Sequence, residues 1–242
     1  MHDRRITIFL FFILIFSIFP LIEIDENSAE TITNSIKWDG VKEIDSDVIV
    51  KSGAILTIAN DSIIIINSDV SFSIEGTLII EGIGLSGVQF MANISQQSEV
   101  GIKSNWKGIE IKNSGVAEIN GLSLDGTQNG ITTNVGSNLR ISNSVISDSI
   151  QGILNFGGAE IENLNCINIQ NNCINNHGLM NLDNIFSNNS GQLLKNHNSG
   201  TFANLSSNNT GVVIEMSSNS TGSIKNIDAN NSGLVIRAYG DQ

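Results

Sequence analysis

Asn204-Leu205-Ser206-Ser207-Asn208-Asn209-Thr210-Gly211-Val212-Val213-Ile214 returns 22 residues later as Asn226-Ile227-Asp228-Ala229-Asn230-Asn231-Ser232-Gly233-Leu234-Val235-Ile236. The three Asn, the Gly and the aliphatic triplet keep their places. Toward the N-terminus the same step continues. Ile153, Ile174, Leu194, Ile214 and Ile236 form an aliphatic row spaced 21, 20, 20 and 22. Gly115, Gly136, Gly158, Gly178, Gly200 and Gly222 recur at 21, 22, 20, 22 and 22. Asn134, Asn155, Asn176 and Asn196 recur at 21, 21 and 20, each followed by a bulkier residue: Val135, Phe156, His177, His197.

A period near 21 with apolar pieces of only three to five residues is too short for a helical pair, which needs roughly 33–47 residues. The Leu frame of a leucine-rich repeat is missing. Short Ile/Val/Leu runs cut by Gly, Asn and Ser read as strands and turns. A chain that coils once per period sets each strand parallel to its equivalent, about 4.8 Å away, so recurring positions become neighbours. This predicts an all-β parallel β-helix, a solenoid of about nine coils and roughly 45 Å. Stacked Asn side chains would then hydrogen-bond along a ladder. Asn also accepts left-handed turn geometry, so part of its abundance is corner chemistry.

Composition fits that reading. The chain has 242 residues, with 33 Asn and 30 Ser but a single Pro. Its net charge of −12, from 12 basic and 24 acidic side chains, argues against nucleic acid as a partner. At 40% hydrophobic it is too apolar for a disordered acidic chain.

The N-terminal half repeats the design in a more apolar form. Val-Ile-Val-Lys-Ser-Gly-Ala-Ile-Leu-Thr-Ile spans 48–58, Gly-Thr-Leu-Ile-Ile-Glu-Gly 76–82, Gly-Val-Gln-Phe 87–90 and Trp-Lys-Gly-Ile-Glu-Ile 106–111. Residues 91–105 are polar and patternless and read as a loop. Trp38 lies before the first of these strands, where its ring would cover the open core. In this order, and followed by Asn-rich coils, the series resembles the right-handed parallel β-helix family of pectin-lyase-like secreted proteins, over about residues 44–242. The resemblance implies the right-handed fold. It does not name an activity, because that fold hosts lyases, hydrolases, adhesins and structural proteins.

Relatives that cleave acidic polysaccharides carry either clustered acidic Ca²⁺ ligands beside a basic residue, or close aspartates with a His and an Arg-x-Lys. Neither pattern is reproduced. The nearest fragments contain Asp125, Arg140 and His177, and Asp148 joins them as a weak catalytic candidate. Asp125 and Asp148 are 23 residues apart, off the coil register. Turn-forming Asp is the plainer account. His177 and His197 are weak metal candidates, since a spacing of 20 makes them neighbours. A closed site needs three or four ligands, and their row also holds Phe156, so stacked packing rings are favoured. Lys195, Glu215 and Arg237 form a charge row that fixes register rather than a site. Cys166 and Cys173 read as two buried thiols, because Cys173 shares a packing row with Leu193 and Val213. A disulfide is the alternative.

Arg4 and Arg5 followed by the apolar run Ile6–Phe19 mark residues 1–29 as a secretory signal, or as an uncleaved membrane anchor. Residues 30–43 read as a linker and N-terminal cap, and 44–242 as the solenoid. The final coil lacks an amphipathic capping segment, which predicts end-to-end self-association, a partner, or a longer chain. The expected product is an exported, extracellular or cell-surface structural or binding module whose partners are glycans, envelope polymer or another surface protein. Membrane contact is confined to the N-terminal segment. No cofactor is expected. The alternative is a Ca²⁺-dependent lyase, or a glycoside hydrolase, acting on acidic polysaccharide.

Overall fold

A computed structural model describes residues 28–93 and 106–239. The signal or anchor segment, apart from its last two residues, lies outside the described residues, as does most of the expected 91–105 loop. The described chain is a parallel β-solenoid of about nine turns whose regular elements are all strands. None of its elements is a helix long and apolar enough to cross a membrane.

The first four coils have three strands each. β1 (Glu30–Ile32), β2 (Ile36–Trp38) and β3 (Val41–Ile44) form the first, and β4 (Val48–Val50), β5 (Ile55–Ile58) and β6 (Ile63–Ile66) the second. The third holds β7 (Ser71–Ile74), β8 (Thr77–Glu81) and β9 (Val88–Ala92), and the fourth β10 (Gly108–Ile111), β11 (Val116–Asn120) and β12 (Leu122–Asp125). Each later coil has one short and one ten-residue strand. These pairs are β13 (Asn129–Thr133) with β14 (Asn138–Ser147), β15 (Gln151–Asn155) with β16 (Gly158–Ile167), and β17 (Asn172–Asn176) with β18 (Leu179–Asn188). β19 (Gln192–Asn196) with β20 (Ser199–Asn208) and β21 (Val212–Met216) with β22 (Thr221–Asn230) follow, and β23 (Leu234–Ala238) is the outermost strand.

The change from three strands to two has a local cause. β11 and β12 are separated by Gly121 at φ 66°. From β14 onward the equivalent corner is one left-handed Asn inside a continuous strand: Asn143, Asn163, Asn184, Asn204 and Asn226, with φ between 49° and 57°. Asn bears this conformation at less cost than most residues with a Cβ, so the strand bends without ending. Two outer faces thereby fuse into a thirteen-stranded sheet, opposite a ten-stranded one.

Inward residues form continuous rows. Val48, Phe72, Ile109, Ile131, Ile153, Ile174, Leu194, Ile214 and Ile236 are successive register partners, which contains the aliphatic row read from the repeat. The N-terminal core holds an aromatic cluster. Phe72 packs on Trp38, Phe90 and Trp106 with ring centroids 5.3–6.2 Å apart. Trp106 is fully buried and donates its indole N–H to the Asp125 carbonyl at 3.0 Å. The C-terminal core is narrower and partly polar, with Asn155, Asn176 and Asn196 fully buried.

Several expectations change. Residues 30–43 are not a linker and cap: Glu30–Ile32 pair with Val48–Val50 and Ile36–Trp38 with Leu56–Ile58, so the solenoid begins at residue 30. Trp38 lies within that first coil, buried edge-on to Phe72 under the Lys42 ammonium, 3.9 Å from its ring. Met91 and Ala92 belong to β9 rather than to a loop. The Gly row is not a true stack: Gly158 lies between Asn138 and Leu179, because corners differ by a residue between coils.

Cys166 and Cys173 form a disulfide, not two thiols, with Cα atoms 5.7 Å apart. Cys166 points inward from β16 and Cys173 inward from β17, across the corner that joins them. A packing position and a bridge are compatible because both side chains point into the core on either side of one corner.

Candidate functional site

The three catalytic candidates do not assemble. Asp125 ends β12, paired in register with Ser147, whose hydroxyl donates to it at 2.9 Å. Asp148 is a left-handed corner residue at φ 47°, and it opens a second exterior ladder. Asn168 donates to Asp148 at 3.1 Å, Asn189 to Asn168 at 3.3 Å and Asn209 to Asn189 at 2.6 Å. Arg140 sits on the first half of β14, seven residues before Ser147, about 20 Å away along the strand. Among the described residues no group of three or more His, Cys, Asp and Glu is arranged to hold a metal ion.

His177 and His197 stack at 4.2 Å between ring centroids, within 8° of parallel, and Phe156 stacks on His177 at 4.9 Å. Both faces of His177 are thus covered, and one face each of Phe156 and His197. Ser217 Oγ lies 2.7 Å from His197 Nδ1. Burial, and then the nearby Lys195 ammonium, hold His177 below the ordinary imidazole pKa. His197 is lowered by burial, by His177 and by Lys195, against an opposing pull from Glu215. The pair is arranged as stacked packing rings whose protonation the surroundings disfavour.

The interior Asn ladder runs through Asn155, Asn176 and Asn196. Asn155 Nδ2 donates to Asn176 Oδ1 and Asn176 Nδ2 to Asn196 Oδ1, both at 2.7 Å. Asn134 is not in this row. Its place is taken by Thr133, the register partner of Asn155, whose hydroxyl donates to Asn155 Oδ1. Asn134 instead donates to Glu110 at 2.9 Å, outside the core. Burial raises the Glu110 pKa, but hydrogen bonds from Lys112 and Asn134 outweigh it and leave the carboxyl below its usual range. In the charge row Glu215 lies 3.5 Å from Lys195 and 3.2 Å from Arg237.

The feature the repeat did not reveal is a groove. Three adjoining depressions lie along one face, and Arg140 lines all three. This face is the outer surface of β11 and of the first halves of β14, β16, β18 and β20. Down its middle run Glu118, Arg140, Glu160, Asn181 and Thr201, successive register partners. Arg140 Nε lies 2.9 Å from a Glu160 carboxylate oxygen, and Thr201 Oγ1 donates to Asn181 at 2.7 Å. A parallel row holds Asn120, Ser142, Glu162, Asp183 and Ala203. Gly158, Gly200 and Ala203 supply little side-chain bulk, which leaves the hollow. The signal was present in the spacings of 22 and 20 around Arg140 and of 21 between Glu162 and Asp183. No repeat consensus marks them, because each coil contributes a different residue type.

No protein-family model matches the chain, and no curated protein matches it.

Proposed function

We propose that the chain is an exported cell-surface module that binds rather than transforms, built as a right-handed β-helix of the pectin-lyase-like kind. Its partners are sought among glycans, envelope polymer and other surface proteins. The observation that carries this reading is the groove: three depressions meet at Arg140 on one continuous, hydrogen-bonded sheet face. A parallel sheet of stacked coils is stiff, so side chains on it are positioned before a partner arrives, which lowers the entropic cost of binding. Asp125 and Asp148 are off register by one residue, and Arg140 stands on the far side of the Asn143 corner from both, which favours binding over hydrolysis or lyase chemistry. The disulfide supports an oxidising compartment, in line with export through the N-terminal segment.

The outermost described coil supports a second contact. Leu234, Val235 and Ile236 of β23 are 43%, 40% and 47% exposed, whereas Val213 and Ile214 of the preceding strand are fully buried. Among the described residues β23 pairs only with β21, and a strand edge of this kind pairs readily with a further strand, a second copy of the chain among the candidates.

A glycan array probed with the purified chain tests the groove. The expected result is binding that is lost in Arg140→Ala, without turnover. Uronate release from an acidic polysaccharide in the presence of Ca²⁺, abolished in Asp125→Ala, would overturn the reading in favour of the enzyme.

A further inference from the structure

The groove is strongly one-sided in charge. Its lining includes Glu81, Glu118, Glu160, Glu162 and Asp183, against Arg140 as the one cation. Part of this is internally neutralised: Arg140 pairs with Glu160, and Lys37 pairs with Glu81 at 2.9 Å. Glu118, Glu162 and Asp183 have no cationic side chain within ion-pair distance among the described residues. Glu162 and Asp183 are direct register partners, which sets their Cα atoms about 4.8 Å apart. Like charges directly across a strand pair are destabilising. Both side chains face solvent, where Asp183 accepts a hydrogen bond from the corner Asn204 at 2.7 Å.

Beside the carboxylates the groove carries apolar ground. Leu179 is 65% exposed, and Val116 lies in the same outward row. Among the described residues no aromatic side chain lines any of the three depressions. The rings of Phe156, His177 and His197 lie outside the three depressions, and His177 has both faces covered by the other two. A sugar ring would find no stacking platform here and would be held through polar side chains such as Asn181 and Thr201 alone. Methylene stems ending in a positive charge fit better: a stem on Val116 brings its head to Glu118, two residues along the strand, and further heads of the same extended segment reach Glu162 and Asp183.

We infer that the groove receives an extended basic segment of a partner polypeptide, with Lys or Arg heads seated over Glu162, Asp183 and Glu118. This rests on the reading of the groove as a binding face and names the partner's chemistry. The same carboxylates repel a polyuronate, so an acidic glycan is the ligand this surface selects against.

The test uses the full chain and a fluorescein-labelled octalysine peptide, read by anisotropy at about 50 and about 300 mM NaCl, with a Gly-Ser octamer as control. Two double variants remove the same formal charge: Glu162→Gln with Asp183→Asn in the groove, and Glu43→Gln with Asp228→Asn on another face. The expected result is octalysine binding that weakens with salt, falls at least about fivefold in the groove variant and changes less than about twofold in the other. Equal loss in both variants would reduce the attraction to net charge and overturn the inference. Octalysine binding no better than the Gly-Ser peptide would also overturn it. In that case, glycan binding lost in Arg140→Ala would leave the groove standing as a site with a different partner, and failure of both probes would remove the site itself.

Discussion

Replacing Asn176 by Ala tests whether the polar interior row holds the C-terminal coils together. Asn176 is fully buried. Its Oδ1 accepts from Asn155 Nδ2 at 2.7 Å and from the Gly178 amide at 3.2 Å, and its Nδ2 donates to Asn196 Oδ1 at 2.7 Å. Truncation strands two groups: Asn196 Oδ1 and the Gly178 amide. Asn155 suffers less, because its amide also reaches the Leu179 carbonyl at 3.1 Å. At about 1–3 kcal/mol for each buried group left unmade, the loss is about 2–6 kcal/mol before any cavity cost is added. A corner Asn offers the contrast. Asn189→Gly removes exposed ladder bonds of 3.3 and 2.6 Å but relieves a left-handed residue at φ 51°, so its net effect is within about 1 kcal/mol. Urea unfolding followed by circular dichroism measures both. A solenoid need not unfold in one step, so native-state hydrogen exchange at the Gly178 amide supplies the local reading. An Asn176→Ala midpoint shift equal to that of Asn189→Gly, with Gly178 still protected, would refute the reasoning.

Three further outcomes follow from the same geometry. The disulfide closes a short loop, and by chain entropy its reduction, or Cys173→Ser, costs about 2–3 kcal/mol. Alkylation of the native protein should find no free thiol at Cys166 or Cys173, and labelling of both would contradict the bridge. Glu162→Gln removes an unpartnered repulsion with Asp183 and should raise stability by about 0.2–1 kcal/mol, seen as a higher melting temperature; a fall would show that Glu162 has a stabilising role. The lowered pKa values of His177 and His197 give a pH dependence of known sign. The unfolded chain binds more protons than the folded one, so stability declines as pH falls from about 6.5 through the lower folded values. In His177→Phe with His197→Phe that decline should shrink over the same window, and an unchanged profile would assign it elsewhere.

Residues separated by whole coils were legible from spacing alone. The Ile153–Ile236 row and the Lys195–Glu215–Arg237 row are register partners because the recurring apolar and charged pattern marks the same position in each coil, although coil length varies from 20 to 22. Where a corner gains or loses one residue, counting fails. Asn134 and Asn155 differ by 21 like other pairs, yet Thr133 occupies the row, since the coil between Thr133 and Asn155 is 22 long. A shift of one residue turns a side chain from core to solvent, which is why Asn134 meets Glu110 rather than Asn155. Row spacing ranks the disulfide below two thiols for a related reason: row membership describes neighbours above and below, and says nothing of two inward side chains meeting across one corner.

What the sequence by itself determined is the period, and with it the solenoid, its stacked aliphatic rows and its supply of left-handed corner Asn. Short β-branched runs between Asn and Gly leave the chain few other ways to bury its aliphatic residues. Only the tertiary structure decided which Asn line the core, which cysteines join and where the groove runs. Those outcomes depend on the direction of each side chain and on corner lengths that vary by a single residue. Arg140, Glu160, Glu162 and Asp183 become one surface only when three successive coils are laid in register.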